Sequence, residues 1–175
     1  LDGGFDNWSR DGRPVTAEET HASPGEFRPN FDGSSVATFD LMRSFVLDRS
    51  AQIADARGPG RFAGTEPEPR EGMRSGHMPG AFNIPVMTLS NNGYLKDLEA
   101  LRSVFNEAGM DLDKPVVTSC GSGVTAAAII LALESLGHQD NRLYDGSWSE
   151  WGSREDTPVE TGPARSPECG AQRRS

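Results

Sequence analysis

Cys120 lies in the loop Cys120-Gly121-Ser122-Gly123-Val124-Thr125-Ala126. Before it runs Val116-Val117-Thr118, a β-branched stretch that reads as a buried strand. After it runs an apolar stretch, Ala126 to Leu133, that reads as a helix. The thiol is therefore expected at the carboxyl end of a strand, facing a helix N-terminus. Backbone N–H groups of such a loop converge on one point and form an anion-binding nest. That field favours thiolate over thiol, which lowers the pKa and makes Cys120 a nucleophile. The competing reading is a small buried hydrophobe. Gly121 and Gly123 weigh against it, because they permit conformations and a close ligand approach that an inert core cysteine does not need.

Other residues with chemical potential are scattered. Arg61, Arg70 and Arg74 lie in a long polar stretch from Gly58 to Gly76, and loops of that length within a compact domain are often functional. Arginine can clamp a carboxylate through two parallel charge-assisted bonds. Taken alone, these arginines read sooner as solvated partners of Glu66, Glu68 and Glu71. Asp55 and Arg57 are expected at the carboxyl end of a strand, where open α/β sheets place ligands; local pairing and turn formation is the favoured role. His77 precedes a short strand rather than following one, so a structural hydrogen bond is favoured over a base. His21 reads as a solvated linker residue.

The elements that position these groups follow from periodicity and turn signals. Thr38 caps a helix through about Arg49, with Leu41, Met42, Phe45 and Val46 on one stripe. A buried strand follows over 51–56 and a short one over 81–84. Asp97 through Ala108 reads as a helix ended by Gly109. The central strand carries Cys120, and a helix spans Gly123 to about Leu136. A last strand covers 141–144, with Trp148 and Trp151 packing from a short helix after it. Apolar strands alternating with helices imply an α/β fold with a mostly parallel sheet and helices on both faces.

The opening Leu1-Asp2-Gly3-Gly4-Phe5-Asp6-Asn7-Trp8 echoes Tyr144-Asp145-Gly146-Ser147-Trp148-Ser149-Glu150-Trp151, and the match resumes at Pro14-Val15 against Pro158-Val159. The echo suggests a tandem duplication. Residues 1–15 are then expected to be the last strand and turn of a first domain. Residues 16–37, with repeated turn signals and a short extended piece at 26–28, form a linker. Residues 38–160 form the second domain, and 161–175 a disordered tail.

The chain has 175 residues and a formal charge of −9. Such an acidic chain is not expected to seek nucleic acid or acidic membranes by general electrostatics, and no apolar run is long enough to span a bilayer. Two cysteines, Cys120 and Cys169, are too few for a disulfide scaffold. A reactive thiol works best in a reducing compartment, which points to the cytoplasm. The first residue is Leu1 rather than Met, so a targeting signal could precede it. The cysteine and histidine positions lack zinc spacing, and no metal or organic cofactor is implied.

The Cys120 loop resembles the active-site loop of the rhodanese superfamily. Asp55-Ala56-Arg57, Gly60-Arg61-Phe62, Gly64-Thr65-Glu66-Pro67-Glu68-Pro69-Arg70, Gly76-His77-Met78-Pro79-Gly80-Ala81 and Tyr144-Asp145-Gly146-Ser147-Trp148 agree with it. The resemblance covers residues 36–160 and is nearest to the C-terminal catalytic domain of two-domain 3-mercaptopyruvate sulfurtransferases. It implies a persulfide on Cys120, carboxylate binding by Arg61 and Arg70, and an active-site loop of Gly121, Ser122, Gly123, Val124 and Thr125. Arg74 has no such support. Thiosulfate-specific relatives carry basic residues just after the cysteine, where Gly121 and Ser122 are neutral. The implied partners are a small-molecule sulfur donor and an acceptor: cyanide, a small thiol or a thioredoxin-like protein. In the family a serine at the place of Ser122 is implicated in a relay with His and Asp groups of the first domain.

Two rival readings remain. A cysteine-loop phosphatase needs an arginine six places after the cysteine to clamp phosphate, and that place holds Ala126. A non-enzymatic rhodanese-like module often loses the cysteine, whereas this chain keeps it with the loop and both arginines.

Overall fold

The computed structural model describes residues 1–164; of the tail expected over 161–175, residues 165–175 with Cys169 lie outside the described residues. Four parallel strands form the central sheet: β1 (Gln52–Asp55), β2 (Phe82–Asn83), β5 (Val116–Ser119) and β6 (Asn141–Leu143), in the spatial order β2-β1-β5-β6. A two-stranded antiparallel hairpin, β3 (Ser90–Asn91) and β4 (Tyr94–Leu95), lies between β2 and β5 in sequence.

Strand alternation explains the two core layers. Ile53 and Val117 are register partners and enter one cluster with Met42 and Phe45 of α2 (Phe39–Asp48) and Trp148 and Trp151 of α6 (Ser147–Trp151). Their neighbours Ala54 and Val116 enter the other. That cluster includes Leu101 and Phe105 of α4 (Leu98–Glu107), Ile129 and Leu133 of α5 (Ala126–Ser135), and Cys120. Helices therefore cover both faces, and all four residues of β5 are buried, as a parallel sheet requires. Fully burying a side chain such as Phe105 or Ile129 contributes about 1.5–3 kcal/mol. Thr38 and Asp97 cap α2 and α4, accepting from Leu41 N at 3.3 Å and Ala100 N at 2.9 Å.

The chain leaves β1 toward β2 and leaves β5 in the opposite direction, toward β6. The carboxyl ends of β1 and β5 thus flank the crevice where open α/β sheets bind ligands. Cys120 follows β5 directly, and Arg57 follows β1 after Ala56.

Several elements depart from expectation. Residues 1–15 contain a helix, α1 (Gly4–Arg10), not a strand. An Asp-Gly turn precedes both α1 and α6, so the echoed frame encodes turn and helix. α1 sits on the β3–β4 hairpin: Asn7 Nδ2 donates to Asn92 O at 2.8 Å, and Leu95 N donates to Asp2 Oδ1 at 3.0 Å. The extended piece expected at 26–28 is not a strand, and Phe27 is exposed. The polar stretch after Gly58 opens with a short helix, α3 (Pro59–Ala63), started by Pro59 in the first turn. α5 begins at Ala126 rather than Gly123, because Gly123 has φ +85° and cannot continue a right-handed helix. Gly162 N donates to Ala63 O at 2.9 Å, so the described end of the chain is tied to the body.

Candidate active site

Cys120 is only 2% exposed, immediately after β5. Burial pushes its thiol pKa up, but hydrogen bonds from the Thr125 hydroxyl and from the amides of Ser122, Ala126 and Thr125 outweigh burial and hold it below the ordinary thiol value. The groups that lower it, one hydroxyl and three loop amides, are of the kind an anion-binding nest supplies. Thr125 occupies the N-cap position of α5 yet makes no cap hydrogen bond. Its hydroxyl serves the sulfur instead. Gly123 makes the turn possible, since a Cβ there would lie 2.9 Å from Asp145 O on a left-handed backbone.

The first turn of α6 holds the loop from outside. Trp148 N donates to Cys120 O and Ser149 N to Gly121 O, both at 2.9 Å. Cys120 N donates to Ser147 Oγ at 3.1 Å, and Ser147 Oγ donates to Tyr144 O at 2.9 Å. With the Cys120 and Gly121 carbonyls held by α6, later amides of the loop are left to face the sulfur. Ser147 takes a left-handed φ of +50°, an uncommon conformation for a side chain that the surrounding bonds must hold in place.

Beside the loop, Arg61, Pro69, Arg70, Met73, Gly121, Ser122 and Ser149 line a pocket of about 140 Å³. The structure thus brings Arg61, Arg70, Gly121 and Ser122 together next to Cys120. Gly121 permits the approach: a Cβ there would lie 3.0 Å from Arg61 Nη2. Val124 stands away from the pocket, with its side chain 76% exposed.

The cationic groups differ in how they are paired. Arg57 is buried, binds Asp55 through both carboxylate oxygens, donates to Glu68 Oε1 at 2.8 Å and to Gly76 O at 2.8 Å, and stacks over Trp148. Glu68 is fully buried and also accepts from Arg61. Two carboxylates and two guanidiniums therefore cancel. Arg70 is exposed and donates to Ser149 Oγ at 3.0 Å; no carboxylate pairs with it among the described residues. The net positive charge of the pocket comes from Arg70.

Asp55 and Arg57 thus take the favoured pairing role. His77 takes a structural one as well: Nδ1 bonds Phe62 O at 2.8 Å and the ring stacks on Phe62. Arg74 binds the carbonyls of Gly152, Trp151, Arg154 and Thr157 and so ties the polar stretch to the end of the domain. Sequence reasoning missed Glu68, Ser147 and Ser149. Glu68 looked like a surface neighbour, and only the Glu-Pro-Glu-Pro-Arg run hinted at a fixed conformation. A larger cavity of about 430 Å³ sits by the amino ends of β1 and β5. Its Gln52 side chain and Asp111 backbone already satisfy each other, at 2.6 and 2.9 Å, and its lining holds no Cys, Ser or Thr.

The family profile of the rhodanese-like domain matches residues 41–154. The chain belongs to the rhodanese-like family. Over 86% of its length, this rhodanese-like domain is 43% identical to 3-mercaptopyruvate sulfurtransferase of Mus musculus, covering 51% of that protein. It is 41% identical over 86% of its length to thiosulfate sulfurtransferase of Cricetulus griseus, covering 52% of it. The crystal structure of SseA from Escherichia coli, a 3-mercaptopyruvate sulfotransferase, aligns with a TM-score of 0.75 at 39% identity, over 86% of this chain and 56% of that one. The rhodanese-like domain spans about half the length of the curated relatives it matches. Among the described residues, no group of three or more His, Cys, Asp or Glu is placed to hold a metal ion, and no helix is long and apolar enough to cross a membrane.

Proposed function

We propose that this domain transfers sulfur from 3-mercaptopyruvate through a persulfide on Cys120. The observation that carries the reading is the Cys120 thiol, its pKa lowered by the Thr125 hydroxyl and three loop amides, next to Gly121 in a pocket also lined by Arg61 and Arg70. The Cys120 thiolate attacks the substrate sulfur. The carbon–sulfur bond breaks, and its electron pair leaves on the pyruvate enolate, which takes up a proton. Cys120 retains the substrate sulfur as a persulfide. An acceptor thiolate or cyanide then attacks the outer sulfur and returns the Cys120 thiolate. Arg61 and Arg70 bind the substrate carboxylate. The loop amides and the N-terminus of α5 stabilise the sulfur anion in both steps, and the role proposed for the Ser122 hydroxyl is to bond the sulfur or guide a proton.

Charge supports the choice of donor. With Arg61 already paired to Glu68, Arg70 supplies one unbalanced charge, which suits a monoanion better than dianionic thiosulfate. Thiosulfate is the second reading, favoured by the similarity to a thiosulfate sulfurtransferase. The acceptor is a thiol, cyanide or a thioredoxin-like protein, and a free thiolate fits a reducing, cytoplasmic setting. Residues 1–15 fit the end of a first copy of the fold, because the same Asp-Gly turn leads into both α1 and α6. Residues 16–37 would then be the linker and 38–160 the catalytic domain.

The test is mass spectrometry after exposure to 3-mercaptopyruvate. A gain of one sulfur on Cys120, absent from Cys120→Ala, is expected. Arg61→Ala and Arg70→Ala should weaken substrate binding more than persulfide stability. Wild-type protein that gains no sulfur refutes the reading.

A further inference from the structure

The geometry points to Ser149 as a positioning residue that fixes the Arg70 guanidinium over the Cys120 loop and thereby sets affinity for the carboxylate of the sulfur donor. This deepens the proposed function and rests on it. Arg70 lies in a stretch without helix or strand between α3 and β2, and its side chain is long and exposed. Such a side chain samples many rotamers unless something holds it. The Ser149 hydroxyl does so. It donates its only proton to Gly121 O at 2.6 Å, which leaves its lone pairs to accept from Arg70 Nη1 at 3.0 Å.

Gly121 follows the nucleophile directly, and its carbonyl is already held by Ser149 N at 2.9 Å. One serine on α6 therefore fastens both halves of the pocket: the loop through Gly121 and the clamp through Arg70. The loop retains its backbone bond when the hydroxyl is removed, whereas Arg70 loses its anchor. The hydroxyl should then matter for donor capture and hardly at all for the chemistry at sulfur.

The experiment is single-turnover loading of Cys120 in the full chain with 3-mercaptopyruvate, followed by mass spectrometry. In Ser149→Ala the half-saturating concentration should rise about three- to tenfold, the range expected for one lost hydrogen bond, while the maximal loading rate stays within about twofold. Ser149→Thr keeps the hydroxyl and should restore the wild-type value. In the Ser149→Ala/Arg70→Ala pair, the serine change should add nothing once Arg70 is gone. Effects that add in this cycle overturn the proposal, as does wild-type half-saturation in Ser149→Ala. A fall in maximal rate with unchanged half-saturation would also overturn it. Wild-type protein that does not load at any concentration refutes the sulfur-transfer reading beneath it, a result separate from unchanged affinity in the variant.

Discussion

Thr125→Val removes one hydroxyl from the sulfur nest and keeps the side-chain shape and the Thr125 amide, which also donates to Cys120. A hydrogen bond to an ionised group is worth about 1.5–3 kcal/mol, and 1.36 kcal/mol is one pKa unit. Thr125 is exposed, so water replaces part of the bond, and the thiol pKa is expected to rise as about 1.4 kcal/mol of the preference for thiolate is lost. Below both pKa values the thiolate fraction then falls about tenfold. The more basic thiolate is intrinsically the better nucleophile, with a Brønsted slope of about 0.4–0.5, which returns about threefold. The variant should alkylate about threefold more slowly at low pH and about threefold faster above both pKa values. The assay is the pH dependence of iodoacetamide alkylation of Cys120 in a Cys169→Ser background. Crossing profiles support the nest. A profile with an unmoved midpoint, or a uniform loss at every pH, would refute the argument that the Thr125 hydroxyl holds the thiol pKa down.

Three further outcomes follow from the packing. Gly123→Ala puts a Cβ on a left-handed residue and 2.9 Å from Asp145 O; a loss of about 1–3 kcal/mol in urea unfolding is expected, with slower Cys120 alkylation. Arg57→Met leaves Asp55 and Glu68 buried without their shared cation, which should cost about 3–5 kcal/mol; a loss below about 1 kcal/mol would contradict the pairing. Burial holds the His77 imidazole pKa below its ordinary 6.5, so the fold favours the neutral ring. Its contribution is complete above the ordinary value and is lost as pH falls below it toward the folded value. The drop in thermal midpoint on acidification through this window should shrink in His77→Gln.

Much of the fold was legible because its signals are local. β5 and α5 announce themselves as a β-branched run and an apolar helix around one cysteine, and Asp97 and Thr38 sit where caps belong. The nest was legible for the same reason, since strand, loop and helix are contiguous. α5 starts later than its apolar pattern predicts because Gly123, with its positive φ, belongs to the loop, and Val124 and Thr125 follow before the helix. α1 departs from the expectation because the echoed frame of residues 1–15 reads as a strand and turn, whereas it holds a turn and a helix. The electrostatics were the least legible. Glu68 neutralises Arg61 and shares Arg57 with Asp55, a pairing across sequence separations that no periodicity encodes. Ser147 and Ser149 lie far from Cys120 in the chain and meet the loop only after β5 and β6 have paired.

The depth of the Cys120 sulfur also bears on what can reach it. Under the proposed function, a residue 2% exposed would admit a slim donor and turn away a bulky one. A second sulfur attached to it adds about 2 Å to the length of the side chain. The loaded protein would then offer its cargo to visitors too broad to touch the bare thiol, so charging and unloading can select for different molecular widths through one opening.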